Sequence, residues 1–142
     1  MQNEAQSIID LLGLAPHPEG GWYKQTWEAE AGEARAAGTC IYFLLSEGEV
    51  SHWHRVDAAE IWHYYAGAPI ELNIAADAAG PAVTHILGPD LAAGQRPQAI
   101  VPIEHWQSAK SLGAWTLVGC TVSPGFRFAG FKLAAPGFDI PT

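Results

Sequence analysis

The chain has 142 residues, of which 49% are hydrophobic and 11% aromatic, including six tryptophans. That is apolar material for a packed core, so a disordered chain is excluded and one domain over residues 1–142 is expected. Seven Lys and Arg against 15 Asp and Glu give a net charge of −8, which repels phosphate backbones; with no basic patch in the sequence, nucleic acid is not an expected partner.

No apolar run reaches membrane-spanning length, and Met1–Asp10 lacks the basic-then-apolar order of a signal peptide. A cytoplasmic protein without membrane contact is therefore expected. Cys40 and Cys120 sit inside apolar runs and read as reduced, buried thiols.

Along the chain, Glu4–Leu14 places Ile8, Ile9, Leu11 and Leu12 at helical spacing, with Asn3 as N-cap and Gly13 as stop signal. His17-Pro18-Glu19-Gly20-Gly21 is a turn, followed by a strand from Trp22 to Trp27. Thr39–Leu45 is a short, nearly continuous apolar run, consistent with a strand buried on both faces. Strands follow over Ser51–Val56, Glu60–Tyr65, Ile70–Ala75 and Val83–Leu87. Further strands are expected over Gln98–Val101, Trp106–Ser111, Trp115–Val122 and Phe128–Leu133. Ala75–Pro81 and Gly88–Pro97 read as longer loops. Many short strands punctuated by Gly and Pro indicate an all-β sandwich or barrel with a short N-terminal helix.

The densest polar chemistry lies between Ser51 and Gly67. On a regular strand, His52 and His54 share a face, and a turn at Asp57–Ala59 brings Glu60 alongside them. Two imidazoles and a carboxylate with open positions suit a catalytic metal: iron, zinc, manganese or nickel. The same residues also read as hydrogen-bonded wall residues with no metal. Trp62 and Tyr64 share the Glu60 face and would line a pocket, while His63 should face the opposite way. Arg55 reads as a rim salt-bridge residue or an anion contact. His17 and Glu19 read as part of a pocket mouth or as a cap on the helix-to-strand corner. His85 and His105 read as solvent-facing. No phosphate loop, zinc-finger cysteine spacing or nucleophile elbow occurs.

The stretch Gly48–Gly67, with His52-x-His54, Glu60 and six residues to Gly67, resembles the first motif of the cupin superfamily. Pro97–Gln107 is similar to the second motif, although Glu104 stands for its glycine, Gln107 for its histidine and Ser111 for its asparagine. More narrowly, the sequence resembles a family of small cupins defined as a domain of unknown function. The resemblance runs through His17–Gly21, Ile41–Leu45, Trp53–Val56, Glu60–Gly67, Leu87–Asp90, Gln98–Pro102, Trp106–Gln107 and Val118–Phe126. It implies a double-stranded β-helix, or jelly-roll, barrel, a homodimer and an internal small-molecule pocket.

Three functions follow from that resemblance. A metal-dependent enzyme would hold one divalent metal on His52, His54 and Glu60, with Gln107 or water completing the shell. A metal-free isomerase, like the deoxysugar epimerases, would use His54 as base and Tyr64 or Tyr42 as acid, in a pocket lined by Tyr42, Trp62, Tyr64 and Gln107. A binding module without catalysis would use the same pocket.

Overall fold

A computed structural model describes residues 3–142, so Met1 and Gln2, which belong to the expected domain, lie outside the described residues. The single α-helix among the described residues, α1 (Glu4–Leu12), begins where the Asn3 side chain accepts the Gln6 N–H at 2.7 Å. It ends at Gly13, whose left-handed φ of 68° lets its own N–H bond the Ile9 carbonyl. Ala5 and Ile9 bury against Leu14 and Leu44. No helix among the described residues is long and apolar enough to cross a membrane.

The remainder is built of short strands: β1 (Ala15–Pro16), β2 (Trp22–Glu28), β3 (Thr39–Ser46), β4 (Val50–Val56), β5 (Ala59–Gly67) and β6 (Ile70–Ala75). They continue as β7 (Val83–Leu87), β8 (Gln98–Val101), β9 (Trp106–Ser111), β10 (Trp115–Ser123) and β11 (Phe131–Leu133). One sheet runs β1-β2-β3-β10-β5-β8 and the other β11-β4-β9-β6-β7, with antiparallel pairing throughout both. Such a two-sheet Greek-key arrangement is the jelly-roll solution to burying many half-apolar strands.

Strand alternation builds the core. Phe43 and Leu45 from β3, Trp62 from β5, Ile70 and Leu72 from β6 and Val118 from β10 meet between the sheets. Leu44 faces the other way and is covered by α1, so β3 is apolar on both sides. The expected strand Phe128–Leu133 is corrected: Phe128–Gly130 forms a 3₁₀ turn, and pairing with β4 starts only at Phe131. Gly130 lies so close to the Asp57 carboxyl that a side chain there would collide with it, while its carbonyl accepts the Asp57 N–H. This contact holds the segment off the ladder.

Candidate functional site

Between the sheets, at the end away from Ile70 and Leu72, lies a cavity of about 260 Å³. Thr39 and Ile41 of β3 and Tyr23 and Gln25 of β2 form one wall, at the inward positions of their strands. Glu60, Cys120 and Val122 form another, and the loop residues Phe126 and Phe128 stand at the mouth.

His54 reaches the cavity through an irregularity in β4. Val50 and Ser51 pair with Lys110 and Ala109, but His54, not Trp53, comes opposite Gln107. One extra residue in β4 inverts the alternation at that point, as a β-bulge does. Ser51 points inward before it, and His54 and Val56 point inward after it.

The turn after α1 supplies two further side chains. Glu19 is drawn onto β4 because its carbonyl accepts the His52 N–H at 2.8 Å. Gly20 and Gly21, both at positive φ, pass too close to Val50 and to Leu44 and Leu45 for any side chain. Glu19 thereby enters the cavity wall, where its carboxyl pairs with the Ser51 hydroxyl. His17 Nδ1 accepts the Glu19 N–H at 3.1 Å and lies 3.3 Å from Oε1 of the same residue.

Electrostatically, these groups are charges forced to be neutral. Burial pushes the Glu19 carboxyl up to about 8, against the opposing effect of its Ser51 hydrogen bond. Burial also lowers His17 to about 4, helped by His54. The His54 imidazole is lowered by burial although Glu60 pulls it upward, and Glu60 is raised by burial although His54 opposes this. At neutral pH the His17–Glu19 and His54–Glu19 contacts therefore join neutral partners and are not ion pairs. His54 Nδ1 lies 2.7 Å from the His52 carbonyl, which can only accept. The proton is thus fixed on Nδ1, and Nε2 offers its lone pair, 3.6 Å from Glu19 Oε1.

Of the residues singled out in the sequence, His54 and Glu60 come together on the cavity wall. His52 does not join them. Next to inward Ser51 it stays on the outer side, where its Nε2 meets the Ala135 carbonyl at 3.0 Å, while the bulge turns His54 inward, which corrects the shared-face expectation. Gln107 lies behind Glu60, donating to Oε1 at 2.9 Å and accepting the Trp62 indole N–H at 2.8 Å. Trp62 is core, packed edge-on to Phe43. Tyr64 lies beyond Trp62 along β5 and donates to the Gly67 carbonyl at 2.6 Å. Tyr42 packs into the cluster under α1. Neither tyrosine lines the cavity, where Tyr23 stands instead. His63 faces outward, against Thr121 and Gln98.

The metal set expected from the sequence does not fit. His52 points away, and the Gln107 carbonyl already holds the Trp62 N–H. Among the described residues, no group of three His, Cys, Asp or Glu side chains is placed to hold a metal ion.

Comparison with known proteins agrees with the barrel. The family described as "Cupin superfamily (DUF985)" matches residues 6–134. Protein SO0799 from Shewanella oneidensis superposes with a TM-score of 0.87 at 40% identity, over 95% of this chain and 86% of that one. A hypothetical protein from Leishmania major gives 0.86 at 29% identity, over 96% and 90%. Oxalate decarboxylase from Bacillus subtilis gives 0.64 at 12% identity, over 83% of this chain and 29% of that one, which is likeness of fold alone. No curated protein sequence matches the chain.

Proposed function

Since this chain belongs to the DUF985 family of the cupin superfamily, whose barrel here encloses a cavity, we propose that it binds a small organic molecule and moves a proton on it without a metal. It works as one domain, as a homodimer and in the cytoplasm. The observation that carries the reading is the placement of His54: buried, neutral, with its tautomer fixed and its Nε2 lone pair facing the cavity beside Glu19. A base that stays unprotonated at neutral pH and an acid that stays protonated there are what general acid–base chemistry needs.

The reaction class is proton transfer at a carbon next to a carbonyl. His54 Nε2 takes the C–H proton, and the carbonyl oxygen receives the proton from Glu19. Return of the proton from His54 to the former carbonyl carbon, with the neighbouring hydroxyl or amino group giving its proton to Glu19, completes an isomerisation; return to the original carbon, with the oxygen's proton going back to Glu19, completes an exchange with solvent. Gln107 and Trp62 hold Glu60 in place behind the base, and the aromatic mouth limits water.

The test is deuterium incorporation into small hydroxy- and amino-carbonyl compounds in heavy water, followed by NMR. Exchange at the carbon beside the carbonyl, unaffected by chelator and lost in His54→Gln, is expected. Exchange that survives His54→Gln, or that requires an added divalent ion, would overturn the reading.

A further inference from the structure

Resting on the reading of the cavity as a small-molecule site, we infer that its ligand carries a cationic N–H group, an ammonium or amidinium, on a compact apolar or aromatic body. Anionic ligands are refused. The polar wall holds two carboxyl groups and an imidazole acceptor, and the other polar groups beside them, from Tyr23, Gln25 and Thr39, are neutral. His54 is 2% exposed, and its Nε2 faces Glu19 at 3.6 Å, beyond hydrogen-bond reach. With Nδ1–H committed to the His52 carbonyl, that nitrogen can only accept from whatever occupies the cavity. Glu19 and Glu60 add two carboxyl groups to the same wall.

Among the described residues, no Lys or Arg lines the cavity to balance them. Glu60 is held by Gln107 and Cys120, and Glu19 by Ser51, with the two imidazoles 3.3 and 3.6 Å from its Oε1. Arg35, near the mouth segment, is taken up by both oxygens of Asp57, at 2.7 and 3.1 Å, and by the Gly125 carbonyl at 2.8 Å. Arg127 lies 3.9 Å from the same Asp57. A carboxylate or phosphate entering this cavity would lose its water and meet carboxyl groups with no cation to offset the cost.

The remaining wall favours the opposite charge. Tyr23 packs edge-on to His17 with ring centroids 4.5 Å apart, and Phe126 and Phe128 pack edge-on at 5.0 Å across the mouth. Ring faces attract an organic cation that comes within about 6 Å of their centroids. The net charge of −8 draws cations toward the protein as a whole. An amino group on the substrate is compatible with proton transfer at a neighbouring carbon, because it occupies the Glu60 carboxyl and leaves Glu19 and His54 for the two proton transfers.

The experiment is isothermal titration of three probes of one shape: benzylammonium, benzyl alcohol and benzoate. Benzylammonium is expected to bind at least about tenfold more tightly than benzyl alcohol, and benzoate to give no binding. In the Glu19→Gln, Glu60→Gln double variant the ammonium preference should disappear while benzyl alcohol still binds, which reports an intact cavity. If the double variant does not fold, Glu60→Gln alone carries the test, with the preference reduced at least about threefold. Benzoate binding as well as benzylammonium, or an ammonium preference that survives the substitutions, overturns the inference. Binding of benzyl alcohol without any ammonium preference overturns it too, and leaves the proton-transfer reading standing. No binding by any probe overturns both the inference and the small-molecule reading of the cavity beneath it.

Discussion

The two ends of the barrel are built from largely the same strands and do opposite things. At one end Leu45, Ile70, Leu72, Leu87 and Val118 are fully buried and form an apolar cluster between the sheets. At the other end β3, β4, β5 and β10 continue into His54, Glu60, Cys120 and, from the preceding turn, Glu19. Between them lies a polar bar, Glu60–Gln107–Trp62, whose hydrogen bonds are satisfied at 2.9 and 2.8 Å. The closed end gains stability from apolar contact, and the open end gives some up by burying ionisable groups in neutral form.

The largest effect should come from weakening the closed end. Leu72→Ala removes a fully buried side chain from the centre of the larger cluster and should cost about 3 kcal/mol in a urea titration. Affinity for a cavity ligand should not change, because Leu72 does not line the cavity. A loss of ligand affinity matching the loss of stability would mean that the two ends are not separate.

Cutting the bar comes next. Gln107→Leu leaves the Trp62 N–H and the Glu60 carboxyl without their partner, a cost of about 2 to 3 kcal/mol. Glu60 is then held by Cys120 alone, so exchange at the substrate carbon should fall as well, a combination that Leu72→Ala does not produce.

The open end should show itself in pH dependence. Native Glu19 keeps its proton up to about pH 8, whereas the unfolded chain loses it above 4.5. Stability therefore falls as pH rises between these values. His17, lowered to about 4 from 6.5, acts oppositely between pH 4 and 6.5 and offsets that slope there. Above pH 6.5 only the carboxyl slope remains, and a loss of about 2 kcal/mol by pH 8 is expected from Glu19. Glu60, also raised, adds to it. Chemical denaturation at pH 6.5 and 8 measures this, and Glu19→Gln should shrink the difference.

The same contrast explains what could be read from the sequence. The closed end follows from strict alternation: Phe43, Leu45, Ile70 and Leu72 are inward because their strands are regular. The helix was legible from Asn3 and Gly13, whose cap chemistry is local. The pairing of His54 with Glu60 was legible as well. His52 and His54 fall on opposite faces because a single inserted residue between Ser51 and His54 reverses every side chain beyond it, and local spacing carries no sign of it. Tyr42 could have been placed, since its neighbour Phe43 faces the core and adjacent strand residues cannot both do so. Tyr64 shares the Glu60 face but lies four residues along the strand, about 13 Å away. Glu19 became central only through a tertiary contact, the docking of its turn on β4. The signal for it was the Gly20-Gly21 pair, which marks a close backbone approach.

The smallest effect on stability should come from the mouth, and it sharpens the comparison most. Phe126 and Phe128 sit on a segment fastened by Arg35, which bonds the Gly125 carbonyl and both oxygens of Asp57. The Arg35 guanidinium holds the Asp57 carboxyl below its usual range. This pair is partly exposed, so Arg35→Ala should cost no more than about 1 kcal/mol. Local opening is another matter. Cys120 lines the cavity and is buried, so a small thiol reagent must pass the mouth to reach it. In a Cys40→Ser background, Arg35→Ala should speed modification of Cys120 severalfold, and raised salt should do the same to the wild-type mouth by screening the ion pair. Leu72→Ala, at equal fraction folded, should leave that rate unchanged. If Arg35→Ala does not alter the rate while Leu72→Ala does, access to the cavity comes from loosening of the whole barrel and the open end has no independent mouth.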